Sequence, residues 1–437
     1  KSFTTLSSIA VVTGIVVGTG IFRLPPVVAE NAGSGLQFVL FWLAGGFISI
    51  LGALCYAELA SFKPDAGGEY HFLSQAFGRA LGFLFSWGRM TVIQTGSLAL
   101  VAFILGDYAS AIYHLGPHSS AIYAAFTVIL LTGLNLSGTG RSRNTQLVFT
   151  AAIIITIVFL GISGLVSENA AGNLHFTLGD ADQSIFSGGA AGSAMIFVLL
   201  TYGGWNEAAY LSGELVRVTR NFIRVLVWGI VLITMLYLLI NITYLRVLGL
   251  EGLQSSKAVG ADLSNRIFGP AGSLIVSVVI IFSALSTANA TIITGARTNY
   301  ALGRDFKALG LMGRWNLHTN TPANALLVQG IIALILIGLG TWSKEAVSTM
   351  VDYTAPVFWF FILLTTASLF VFRVRNKKHK LPYKVPLYPV TPLLFMGICI
   401  YMLYSSLMFT GMGALIGVAF LLAGIPVYVW VKKKKQT

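Results

Sequence analysis

Apolar stretches long enough to cross a bilayer fill most of this chain, and they limit its possible folds more than any other feature. A hydrocarbon core about 30 Å thick takes roughly 20 mostly apolar residues per helix. Twelve such stretches can be read, at about 8–32, 36–61, 80–108, 119–137, 146–167, 184–214, 222–248, 270–300, 323–341, 346–373, 388–409 and 411–431. Each is continuous, whereas the strands of a membrane barrel alternate over about 10 residues. The expected fold is therefore an all-α membrane protein with twelve transmembrane helices. Composition agrees: with 56% apolar and 10% charged residues, too little polar surface exists to coat a soluble globule.

The net charge of +13 does not point to nucleic acid, because the basic residues collect in alternate loops, the pattern that sets membrane orientation. One set of loops holds Lys63, Arg79, Arg141, Arg143, Arg217, Arg220, Arg224, Arg297, Arg304, Lys307, Arg314, the cluster from Arg373 to Lys384, and Lys432 to Lys435. The opposite set holds Arg23, Arg246, Lys257, Arg266 and Lys344 and an acidic stretch at 167–184. A multi-pass protein of the cell membrane with both termini cytoplasmic is expected. Lys1 stands just ahead of an apolar stretch, and no cleavable signal peptide is expected. Cys55 and Cys399 both fall inside apolar stretches, so neither a disulfide framework nor a metal site is expected of them. His114, His118 and His175 lie in external loops and carry no metal-ligand spacing.

No linker separates soluble domains, and the longest external loops are expected at about 168–183 and 249–269. Helix 1 is interrupted at Gly18-Thr19-Gly20 and helix 6 at Tyr202-Gly203-Gly204. A lone glycine pair is commonly a close-packing contact, and Gly45-Gly46 and Gly188-Gly189 are read as packing or helix-end residues. Two interruptions five helices apart are different, since a site at mid-membrane needs backbone groups that an intact helix has already used. The chain then divides into one repeat at about 8–167, a second at about 184–373, and two appended helices at about 388–431.

Several motifs recur in order along the chain: Val17-Gly18-Thr19-Gly20-Ile21-Phe22, Gly52 to Leu59, Gly67-Gly68-Glu69-Tyr70, Tyr202-Gly203-Gly204-Trp205-Asn206 with Glu214 and Arg220-Asn221, Ser283 to Arg297, and Gly424 to Tyr428. On these the chain resembles the amino acid-polyamine-organocation superfamily, most of all its L-type amino acid transporter branch. The resemblance implies a LeuT-type fold, a 5+5 inverted repeat plus two extra helices, with helices 1 and 6 unwound around a central site. It also implies a secondary active transporter of neutral L-amino acids working by alternating access, with no enzymatic activity.

The chemistry of such a site can be argued from the residues. A zwitterion brings two charges to a place where an unpaired charge is costly. The freed amides of Gly18, Thr19 and Gly20 sit at the N-terminus of the outer half of helix 1, where the dipole also favours an anion, and suit the carboxylate. Carbonyls near Thr13 to Val16 and near Leu200, Thr201 and Tyr202 suit the ammonium. Gly203 and Gly204 leave room for a side chain, and Tyr202 and Trp205 are candidate walls. Leu200 stands where the family carries an aromatic lid, and Ala151-Ala152-Ile153 where many relatives carry a lysine.

A sodium site in the wider fold is similar to Gly14, Val17, Ser283, Ser286 and Thr287, five oxygens of the kind a hard cation takes. Hydroxyls in membrane helices also bond back to the preceding turn, so sodium coupling, sodium-independent exchange and proton coupling stay open, as does a carrier of cationic amino acids or polyamines. No other cofactor is called for. Among ionisable residues, Glu207 one turn past the helix 6 break and Asp352 beside Tyr353 are coupling or gating candidates, with ion pairing or helix capping as the structural alternative. Glu58, Arg89, Glu214 and Arg220 suit ion pairs at the inner ends of helices. A channel would need a polar path along its whole length, and an enzyme a His/Asp/Glu cluster; neither is present. The expected partners are the amino acid and the bilayer, with no nucleic acid. The loop at 107–120 lacks cysteine, so no disulfide-linked ancillary subunit is expected.

Overall fold

The computed structural model of the chain describes residues 18–62, 67–138, 143–167, 188–207, 221–343, 345–375, 383–409 and 411–433. Among them there is no strand beyond one isolated bridge, Asn316 with Thr321. Ten helices are long and apolar enough to cross a membrane: Gly35–Phe62, Arg79–Ile112, Ser119–Leu136, Val148–Val166, Leu226–Gln254, Val259–Asp305, Ala323–Thr341, Ala346–Arg375, Val390–Met408 and Met412–Lys432. These match ten of the twelve stretches read from the sequence. The other two are the interrupted ones. The first continues from Gly18 as a four-residue 3₁₀ turn, Thr19–Phe22, and a short helix, Pro25–Glu30. The sixth runs as Gly188–Thr201 and, after the break, as the 3₁₀ turn Trp205–Glu207.

Helices that are apolar all round belong inside a bundle or in lipid, and here the outer faces decide. Phe47, Ile155, Phe159, Trp228, Met235 and Ile275 are among many large apolar side chains left exposed, a surface that a bilayer covers favourably. The interior is closed by small residues. A Cβ on Gly45 would sit 2.4 Å from Val198, one on Gly46 2.3 Å from Thr234, and one on Gly52 2.5 Å from the Trp205 ring. Glycine at these positions lets Gly35–Phe62 lie directly against the broken sixth helix and against Asn221–Gln254.

Helices from the first half of the chain pack on helices from the second. Pro25–Glu30 packs on Gly188–Thr201, Gly35–Phe62 on Asn221–Gln254, the Arg79–Ile112 helix on Val259–Asp305, and Ser119–Leu136 on Ala323–Thr341. The external connection expected as a loop at about 249–269 is largely helical. Helix continues past a kink at Gly249 (φ +73) to Gln254 and resumes at Val259, with a second kink at Gly269 (φ +72). Both glycines adopt the left-handed conformation that other residues resist. The apolar pattern hid this helix because it packs on protein rather than crossing the bilayer.

Candidate functional site

The two breaks differ in what they demand of the chain. At the second, Gly204 has φ +106, open to glycine, and a Cβ on Gly203 would lie 2.8 Å from the Leu200 carbonyl oxygen. The chain thus leaves the helix after Thr201 through two positions that suit glycine and would strain another residue. At the first, Gly18 is extended (φ −104, ψ −176), and the leading amides of the following turn, those of Thr19 and Gly20, meet no acceptor among the described residues.

A broken helix in lipid must re-satisfy its carbonyls, and buried tyrosines from neighbouring helices do so. Tyr108 donates to the Phe22 carbonyl (2.7 Å) and accepts from the Gly260 amide (3.0 Å). Tyr244 donates to the Ile21 carbonyl (3.4 Å), and Tyr237 to the Thr201 carbonyl (3.1 Å). The Tyr237 oxygen also meets the Gly18 amide, so one phenol joins the two breaks. None of the three was singled out from the sequence. The available signal was position: a tyrosine in mid-span departs from the usual place of tyrosine at the membrane interface.

Between the breaks lies a cavity of about 420 Å³, within the range that holds a small ligand. Of the residues expected to bind substrate, Gly18, Thr19, Gly20, Leu200, Thr201 and Gly203 line it, with Gly204. The Thr19 hydroxyl is buried there and has no hydrogen-bond partner among the described residues. The Leu200 carbonyl accepts from the Gly203 amide (2.9 Å), which leaves it one lone pair. Tyr202 and Trp205 are not lining residues, a correction to their expected role as walls. Tyr202 is fully buried and donates to the Trp42 carbonyl (2.9 Å), and Trp205 packs edge-on against Tyr56 and Phe395. Both anchor the broken helix to Gly35–Phe62. Thr13, Gly14, Val16 and Val17 lie outside the described residues, as do Glu214, Arg220 and the Glu207 side chain.

Ser283, Ser286 and Thr287 also line the cavity, and the Thr287 hydroxyl donates back to the Ser283 carbonyl (3.1 Å). That is the local bond expected of a threonine in a helix. Asp352 does not line the cavity; its carboxylate accepts from the Gly411 amide (3.4 Å) just ahead of Met412–Lys433, which is the capping role. Tyr353 is likewise outside it, donating to the Thr91 carbonyl (2.7 Å). Thr91 belongs to a π-helical turn, Arg89–Ile93, inside Arg79–Ile112. Such bulges gather at functional sites, and two of its residues, Arg89 and Ile93, line the cavity.

One helix shows where the cavity leads. Phe85, Arg89, Ile93, Gln94, Ser97, Leu100, Val101 and Ile104 form its lining stripe along Arg79–Ile112. The stripe ends three residues short of Asp107, whose carboxylate accepts from Arg23 (2.7 Å). Arg23 also reaches Glu345 (3.2 Å), which meets Lys257 (3.5 Å). At the opposite end Arg89 and Glu69 are 3.7 Å apart. Glu58 there takes two bonds from Arg373, both 2.6 Å, and one from the Val385 amide (2.6 Å). The expected ion pairs of Glu58 and Arg89 are thus present. Tyr70, on the short helix Glu69–Phe77 at this end, donates to Asp305 (3.0 Å). Burial first, then that bond, pushes its phenol up to about 12, so it stays a donor through the physiological range.

The family model for amino acid permeases matches residues 3–431. The chain belongs to the amino acid permease family. The permease is 34% identical to the b(0,+)-type amino acid transporter 1 of Mus musculus, over 88% of its own length and 78% of that protein's. To the human transporter of the same name it is 32% identical over 93% of its length and 82% of the relative's. It is 28% identical to the human large neutral amino acids transporter small subunit 2, over 100% of its own chain and 82% of the relative's. It is therefore a membrane transporter of amino acids and not an enzyme. The last of these relatives is named as a small subunit, which sets a question for the expectation that no ancillary chain is needed.

Proposed function

We propose that this permease is a secondary active transporter of neutral L-amino acids that works by alternating access. The observation that carries the reading is the charge of the cavity. Its two breaks offer the Thr19 and Gly20 amides and the carbonyls of Leu200 and Thr201, while among the described lining residues the only charged side chains are Glu69 and Arg89, of opposite sign and at one end. A cationic substrate or polyamine would need a net negative wall. A large neutral side chain finds Phe358, Trp359 and Ile362 along one wall and Leu100 and Ile104 along another. The name of one relative, a large neutral amino acids transporter, points the same way.

In this reading the fold is the LeuT-type 5+5 inverted repeat plus two helices, and the packing of helices from the first half on helices from the second supports it. Charge asymmetry between the loops orients both termini to the cytoplasm; a tag at either end should become accessible only after permeabilisation. The Arg89 end of the cavity is then cytoplasmic and the Asp107 end external. Cys55 and Cys399 are both fully buried, so the permease works without a partner disulfide-linked through these residues, and non-reducing gels of membranes should show it at its own mass.

Coupling is assigned to a cation held by Ser283, Ser286 and Thr287 with the carbonyls of Gly14 and Val17. The test is uptake of a panel of labelled amino acids into proteoliposomes with and without a sodium gradient, comparing Thr287→Ala. Neutral members should be taken up saturably, faster with sodium, and the substitution should remove the sodium stimulation. Uptake indifferent to both sodium and the substitution would leave exchange or proton coupling as the mechanism. Conductance without saturable counterflow would sink the transporter reading altogether.

A further inference from the structure

Arg89 and Glu69 line the cavity beside the turn that follows the helix 6 break, yet they lie far from the Gly18 break in the first helix. Tyr108, on the same helix as Arg89, touches the Phe22 carbonyl and lies about 28 Å along the helix axis from Arg89. Gly18 can reach at most about 14 Å back from Phe22. The pair therefore sits on the order of 14 Å or more further toward the cytoplasmic end.

Its geometry is unusual for a structural ion pair. Both side chains are almost wholly buried, yet the guanidinium nitrogen and the carboxylate oxygen stand 3.7 Å apart, beyond a hydrogen bond. The glutamate is held from its other side: Oε1 accepts from the Tyr56 hydroxyl (2.6 Å) and from Asn206 (3.5 Å), which turns Oε2 toward Arg89 and the cavity. Asn206 belongs to the turn that follows the helix 6 break, and Arg89 opens the π-helical turn. Each charge is thus fixed by an element that frames the substrate path.

We infer that Glu69 and Arg89 form a second, transit site for the amino acid, with the α-carboxylate against Arg89 and the α-ammonium against Glu69. A zwitterion carries the same two charges at a similar spacing. Lying across the pair, it sets an opposite charge against each group, and no charge is left buried and unpaired. The site would hold the substrate after it leaves the Gly18–Gly20 amides and before it reaches water. This inference rests on the transport reading above.

The test measures half-saturation for L-leucine, with L-alanine in parallel, separately at each face of proteoliposomes of one orientation. The doubly neutral Glu69→Gln/Arg89→Gln leaves no lone charge; it should raise half-saturation at the cytoplasmic face about tenfold and leave the external face within about twofold. The swapped Glu69→Arg/Arg89→Glu rebuilds an ion pair with its polarity reversed, and it should not restore the cytoplasmic affinity. Equal changes at the two faces, no change at either, or recovery in the swap would overturn the inference in favour of a structural pair. If the double variants do not fold, Glu69→Asp keeps the charge and shortens its reach. It should weaken the cytoplasmic face alone by about threefold, and an equal effect on both faces would count against the site. Absence of uptake by the unaltered protein would overturn the transport reading itself, whereas normal uptake with the contrary results above overturns this inference alone.

Discussion

Tyr237 carries the connection between the two halves of the site. Its hydroxyl donates a hydrogen bond to the Thr201 carbonyl at one break and meets the Gly18 amide at the other, so one side chain links the two backbones. Removing the oxygen alone separates this role from packing, because the ring stays wedged against Trp42 and Tyr202. Tyr237→Phe leaves a buried carbonyl unpaired at a cost of about 1–3 kcal/mol. Part of that cost falls on the arrangement that binds substrate. Initial uptake should therefore drop about tenfold or more while the detergent-solubilised protein still unfolds cooperatively; unchanged uptake would show that the breaks are held together by packing alone.

At the scale of elements, the question is which polar groups serve the transport path and which serve helix ends. Asp352 belongs to the second kind. It accepts from the Gly411 amide just ahead of Met412–Lys433, where a carboxylate also meets the positive end of the helix dipole. Asp352→Ala should lower stability by about 0.5–2 kcal/mol, read as a fall in the thermal unfolding midpoint, with substrate half-saturation unaltered. A change in half-saturation without loss of stability would return Asp352 to the path. Ten spans and both breaks were legible in the sequence because the length of an apolar run and a paired glycine interruption are local signals. Tyr202 and Trp205 misled because an aromatic beside a break looks the same whether it faces substrate or a neighbouring helix. The pairing of Arg23 with Glu345, 322 residues away, the tyrosines that satisfy broken backbone, and the π-helical turn at Arg89 depend on tertiary contacts that no local pattern records.

For the molecule as a whole, the ion pairs and the cavity describe one conformational state. The cavity reaches Glu69 and Arg89 but stops short of Asp107, and beyond it Arg23 ties Asp107 to the broken first helix. The short helix that begins at Val259 completes the closure: a Cβ on Gly260 would lie 2.8 Å from the Phe22 ring. The ionic contacts here are unequal. Lys257 and Glu345 are well exposed, at 72% and 48%, and such a pair contributes at most about 1 kcal/mol. Arg23 and Asp107 are only 5% and 16% exposed, and leaving one such charge buried without its partner costs about 3–5 kcal/mol. That cost is paid in the closed form, and it vanishes where the two separate into water. Arg23→Gln should therefore shift the population toward the form open at the Asp107 end by more than about a hundredfold, whereas Glu345→Gln should change it little. Ser97→Cys, on the cavity wall, reports the shift through its labelling rate with a membrane-impermeant thiol reagent applied outside, since Cys55 and Cys399 are fully buried. Faster labelling in the Arg23 variant and not in the Glu345 variant assigns the closure to the buried pair; equal rates in all three proteins would assign it to the apolar contact between Gly260 and Phe22.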